Sequence, residues 1–188
     1  MNTFKIALVL VLASGGAMAG QTNEKEQAMA ATAALGKALK AELVGAMQSG
    51  GPLAAVEVCQ SRAPAIAASV SSKQGMQVSR VSSRNRNPGN APNEWQAEVL
   101  AMFADRIEDG EDAAGLTWQE TANVGDGAEY RFMKAIPTDG VCLACHGTSL
   151  EPAVADVIAT RYPEDKATGF SQGDLRGAFV VTKKLETE

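Results

Sequence analysis

One pentapeptide constrains this chain more than anything else in it: Cys142-Leu143-Ala144-Cys145-His146. Cys-x-x-Cys-His is the attachment signature of a c-type haem. Two thiols separated by two residues reach the two vinyl groups of one porphyrin and form thioethers. The adjacent imidazole then falls over the iron as its proximal ligand. The motif takes up two of the three cysteines and the single histidine among 188 residues. A haem held by two histidines of this chain is therefore excluded, as are several common zinc sites.

Other uses of the motif are weaker. A thioredoxin-like pair needs Cys-x-x-Cys after a strand and at a helix start, and has no need of the only histidine as the next residue. A zinc site needs a fourth ligand, which only Cys59 or a carboxylate can supply. The motif therefore predicts one covalent haem c.

Targeting agrees with that chemistry, because thioether attachment follows export. Lys5 gives a short positive end, Ile6 to Leu12 an apolar run, and Ala17-Met18-Ala19 a small-x-small cleavage site. We read residues 1–19 as a signal peptide cut after Ala19, and 20–188 as one exported, periplasmic domain. The apolar run is too short to span a bilayer, and no span is expected in the mature chain. With 17 Lys+Arg against 22 Asp+Glu the net charge is −5, which argues against nucleic-acid binding.

Patterning predicts mixed helix and strand. Gln21 to Ser49 is rich in helix formers and ends at Gly50-Gly51. Pro52 opens a second helix, whose residues Val56, Cys59, Ala63, Ile66 and Val70 form one apolar face, with Pro64 kinking or interrupting it. Met76–Val81 reads as a short strand and Ser82–Pro92 as loop. Asn93–Glu108 reads as an amphipathic helix, with Trp95, Val99, Met102, Phe103 and Ile107 inward, and Asp109–Gly115 as a turn. Thr117–Asn123 and Ala128–Ile136 form a hairpin round Gly125-Asp126-Gly127. Pro152–Thr160 is a short helix and Gly177–Lys184 a last strand. The class is α+β, a small antiparallel sheet flanked by helices; a PAS-like arrangement fits the element order.

The sixth iron position is open on these grounds. Met29, Met47, Met76, Met102, Met133, a lysine, water and Cys59 are all candidates. Cys59 has no thiol left to pair with in an oxidising compartment, so it is either buried and inert or bound. A thiolate there would stabilise ferric iron and lower the potential, and would weaken as a ligand on reduction.

Taken together, several stretches are similar to the PAS-like single-haem c-type cytochrome family. They are Ala55-Val56-Glu57-Val58-Cys59, Ala63 to Ala67, Arg84-Asn85-Arg86-Asn87-Pro88, Asn90-Ala91-Pro92 with Trp95, and Cys142 to Gly147. Tyr162-Pro163, Lys166 to Gly169 and Gly173 to Ala178 complete the set, so the likeness runs from about Glu26 to Lys184. It implies a PAS-like fold with haem on the sheet face, and His146 and Cys59 as axial iron ligands. Arg84, Arg86, Asn87 and Arg176 sit in the resembling loops and are candidate propionate contacts, against ordinary solvated loop charge. Trp95, Phe132 and Phe170 are candidate pocket walls or core.

Two functions follow as expectations. One is a haem-based redox or small-ligand sensor, with nitric oxide or carbon monoxide taking a site that Cys59 vacates, and a separate signalling protein reading the state. The other is a low-potential periplasmic electron carrier, docking its acidic surface on a redox partner protein. A five-coordinate gas-binding four-helix cytochrome ranks third, because its motif lies near the C-terminus and the hairpin breaks a bundle. Enzymatic turnover is not expected, since no general-base pair stands out.

Overall fold

The computed structural model describes residues 16–185, and side-chain environments from residue 23 onward. Most of the expected signal peptide, residues 1–15, lies outside the described residues. Helix α1 runs Gly16–Ser61, with a break inside it at Gly50 (φ −153°, ψ 16°) and Gly51 (φ 67°, ψ −160°). That is the expected stop: Gly51 takes a positive φ at no steric cost, and Pro52 restarts the helix with its fixed φ and missing N–H.

A second interruption falls where Pro64 lacks a donor. Helix α2, Ala63–Gln74, begins there as a separate element and ends at Gly75 in the left-handed conformation. This corrects the single apolar face read from Val56 to Val70. Val56 packs with Val154, Ile158 and Tyr162, whereas Ile66 and Val70 pack on the sheet.

Strands β1 (Gln77–Val81), β2 (Thr117–Val124), β3 (Gly127–Pro137) and β4 (Leu175–Leu185) form one four-stranded sheet in the order β1-β4-β3-β2. Every pairing is antiparallel. The β2–β3 hairpin pairs Val124 with Gly127, leaving a two-residue turn that starts on Gly125 at φ 60°. β3 and β4 lose register between Ile136 and Pro137, which bends the sheet at that end.

Alternation along the strands gives two apolar faces. Val78, Tyr130, Phe132 and Val181 face one way, packing with Ala28, Ala31 and Leu35 of α1 and Val70 of α2. Val81, Met133, Ala135, Ala178 and Val180 face the other way, packing with Val99, Leu100 and Phe103 of helix α3, Glu94–Glu108. The start of α3 is set by a capping box between Asn93 and Gln96. The expected α+β class, an antiparallel sheet flanked by helices, is the observed one. Helices α4 (Leu143–His146) and α5 (Pro152–Arg161) lie beyond the bent end, with α5 packed on the last segment of α1. Among the described residues no helix is long and apolar enough to cross a membrane.

Candidate functional site

The bent sheet end, the last third of α1 and the segment carrying the Cys-x-x-Cys-His motif enclose a cleft of about 220 Å³. Cys59, Cys142, Cys145 and His146 all line it, with Leu43, Met47, Val56, Ile136, Val141 and Tyr162 as its apolar wall. Asp139 caps a 3₁₀ turn over Gly140–Cys142, and α4 adds a single helical turn, so Cys142 and Cys145 come round to the same side. Gly147 ends that turn, where a Cβ would lie 2.6 Å from the Leu143 carbonyl oxygen.

His146 is held from behind. Its Nδ1 lies 2.6 Å from the Ala167 carbonyl oxygen. A carbonyl only accepts, so Nδ1 carries the proton and Nε2 keeps its lone pair. Burial, with the nearby Arg176 and Arg86 charges, pushes the ring's pKa down to about 3, which keeps it neutral. Phe170 meets it edge-on, ring centroids 6.4 Å apart. Two backbone bonds fix the strip: Phe170 N donates to His146 O at 2.9 Å and Gly169 N to Gly147 O at 2.8 Å.

Cys59 is exposed to the cleft rather than sunk in the core, although it sits deep enough for burial to push its thiol pKa up. Arg80, Arg86 and Arg176 act in the opposite direction on it. Cys145 is likewise raised by burial, with Arg86 acting the other way. All three cysteines are free. Of the methionines weighed for the sixth position, Met47 lines the cleft, while Met76 and Met133 are buried in the sheet cores.

The arginines divide differently from the expectation. Arg84 lies over the Phe170 ring, 3.9 Å from its centroid, and donates to the Thr168 carbonyl; it does not line the cleft. Arg86 lines the cleft but is committed on one side to Asp165, with Nε–Oδ1 3.1 Å and Nη2–Oδ2 3.0 Å. Asn87 lines the cleft and spends its Oδ1 on capping Gly89 N. Arg176 lines it too, bonded to Ser82 Oγ and the Arg84 carbonyl, both at 3.3 Å. Its pKa falls to about 10 through burial and the repulsion of Arg86 and Arg80.

Arg80, on β1, was missed by the sequence reading. It lines the cleft, faces no carboxylate in any ion pair among the described residues, and is lowered by burial against the pull of Cys59 and Tyr162. The one signal was a charge on an inward position of an alternating strand, beside Val78. Trp95, Phe132 and Phe170 are not cleft walls: Trp95 stacks on Trp118, and Phe132 is core.

The donor set fits a c-type haem. Two free thiols two residues apart, an imidazole with a free Nε2, a third thiol and an excess of cationic side chains share one apolar-walled cleft. Among the described residues no three His, Cys, Asp or Glu side chains come together as a site for a bare metal ion.

These features define an α+β protein built round a cysteine–histidine cleft. The chain belongs to the Tll0287-like family, which matches residues 10–183. It is similar in fold to the crystal structure of the cyanobacterial heme-protein Tll0287, with a TM-score of 0.63 and 24% identity over 88% of this chain and 98% of that one. No curated protein matches it.

Proposed function

We propose that this protein binds one covalent haem c in the cleft and acts as a haem-based redox or small-ligand sensor. Cys142 and Cys145 form the thioethers, His146 Nε2 is the proximal ligand and Cys59 Sγ the distal one. The observation that carries the reading is the meeting of His146, its Nε2 free, with the exposed Cys59 thiol in one cleft. The likeness to a heme-protein supports it. When bound, haem supplies a one-electron iron couple and a site for a diatomic gas.

The chain's own residues favour a switch at Cys59. That thiol rides on a short helical segment bounded by Gly51 on one side and by the Ser61–Ala63 break on the other. In this proposal a shift of that segment is taken up at those two breaks and against α5, away from the sheet. Arg80, Arg86 and Arg176 favour the thiolate while it is bound. Nitric oxide or carbon monoxide is the ligand class for the vacated position, and a separate signalling protein reads the change. Export to the periplasm, and the absence of enzymatic turnover, belong to the same proposal.

A second reading is a low-potential electron carrier. Val141 is an exposed apolar side chain next to Cys142, and it favours docking of a redox partner at the haem edge. Redox titration with and without carbon monoxide separates the two. The sensor reading predicts that the ferrous protein binds the gas and that the midpoint rises. A ferrous protein that keeps both ligands and refuses the gas overturns it in favour of the carrier.

A further inference from the structure

The Ala167 carbonyl oxygen accepts two donors at once. His146 Nδ1 lies 2.6 Å from it, and Arg86 Nη2 donates to it at 3.2 Å. The same Nη2 donates to the Cys145 carbonyl at 2.7 Å, so one guanidinium touches both the attachment motif and the acceptor behind its imidazole. Arg86 is only 9% exposed and pairs two-pronged with Asp165, whose Oδ1 also accepts from Ala167 N at 2.9 Å. Nε–H and one Nη2–H serve the Asp165 carboxylate, and the second Nη2–H is shared between the Cys145 and Ala167 carbonyls, nearer the first.

We infer that Arg86 is a positioning residue for His146, acting through the Ala167 carbonyl that both of them bond and limiting how strongly that carbonyl draws on the imidazole Nδ1–H. The inference rests on His146 being an iron ligand. The partner of a ligand's second nitrogen sets the ring's orientation and its basicity. A carbonyl that already receives a charged donor is a weaker acceptor for the imidazole. The ring then gains less anionic character and stabilises ferric iron less. Backbone bonds from Gly169 and Phe170 hold the strip whether or not Arg86 is there. Loss of Arg86 therefore acts on the hydrogen bond that the Ala167 carbonyl makes to His146, with the strip itself still held.

Opposite signs test this. Arg86→Gln removes the cation and frees the carbonyl, so the midpoint potential of the purified haem-loaded protein should fall. Asp165→Asn leaves Arg86 without its counter-charge, so the potential should rise. Simple loosening of the loop moves both variants the same way, and that result overturns the inference. The His146 Nδ1 proton separates this from a direct effect of the charge on the iron: by NMR it should resonate further downfield in Arg86→Gln than in the wild type, because the Ala167 carbonyl then draws on it more strongly. Arg86→Lys, which loses the fork, serves where Arg86→Gln loses haem, and an unmoved resonance overturns the inference. His146→Ala is the control. An unchanged haem spectrum there means that the ligand reading itself fails, whereas a changed spectrum with the wrong potential shifts sinks only the role of Arg86.

Discussion

Gln60 and Arg161 hold each other by a reciprocal pair of hydrogen bonds. Arg161 Nη1 donates to Gln60 Oε1 at 2.8 Å, and Gln60 Nε2 donates to the Arg161 carbonyl at 3.4 Å. Arg161 also reaches Glu57, 3.9 Å away. Gln60 follows Cys59 directly, so this surface tie fastens the Cys59 segment to the end of α5, next to the motif. Being exposed, it contributes about 1 kcal/mol or less to global stability. Its effect is local. Gln60→Ala should leave the melting temperature nearly unchanged and speed amide exchange across residues 52–61, with the sheet amides unaffected. Unchanged exchange in that segment means that the pair does not restrain Cys59.

Replacement of Cys59 tests the distal ligand directly. The ferric protein is expected to give a low-spin thiolate EPR signal, and Cys59→Ala should abolish it and raise the midpoint potential, because an anionic ligand to ferric iron is lost. Cys59→Ala should also bind carbon monoxide in the ferrous state without a competing ligand. A spectrum identical to the wild type sinks the assignment, and Met47, which lines the same cleft, becomes the residue to replace.

Much of this architecture is legible in the sequence. Proline and glycine punctuate it plainly: Gly51 and Pro64 break the helices where they were read to, and Gly125 turns the hairpin. The strict spacing of the motif put Cys142, Cys145 and His146 together, because i, i+3 and i+4 positions cluster on any helical turn. What did not read out was the fate of long cationic side chains. Arg84, Arg86 and Arg176 lie close in the fold, yet one stacks on Phe170, one clamps Asp165 and one bonds Ser82. Composition and spacing cannot distinguish these, since each outcome depends on partners distant in sequence: the 165–170 strip for Arg84 and Arg86, and Ser82 for Arg176. Arg80 escaped for the opposite reason: a single charge in a short strand looks like an exposed position until the neighbouring face turns out to be a cleft.

Tyr130 predicts an alkaline limit. It is 1% exposed, donates its hydroxyl to Gln119 Oε1 at 3.1 Å, and its pKa is pushed up to about 12 by burial first and by Glu24 second. A pKa raised in the folded state means that the unfolded chain loses the proton first. The stability contribution is therefore intact below pH 10 and declines as pH rises from 10 towards 12. Chemical denaturation from pH 8 to 12 should show that decline. Tyr130→Phe should flatten it while leaving stability at pH 8 close to the wild type. An equal decline in the variant assigns the effect to other groups.

Gly177 marks the close approach of two strands beside the cleft. It has φ 154°, is buried, and a Cβ there would stand 2.3 Å from the Val81 carbonyl oxygen and 3.1 Å from Ser82 Cβ. The obstacle at Val81 is backbone, which has no rotamer to yield, and the conformation itself disfavours any side chain. Gly177→Ala should cost at least ~1–3 kcal/mol from backbone strain alone, before the overlap is counted. The strands part next to Arg176 and Arg80, so the cost should also appear in the site. Haem incorporation should fall, and the Arg80 and Ser82 amides should exchange faster. Gly140→Ala is the matched control, because a Cβ there meets only Gln172 Oε1, at 4.0 Å. Equal losses in the two variants mean that the Val81–Gly177 approach does not shape the cleft.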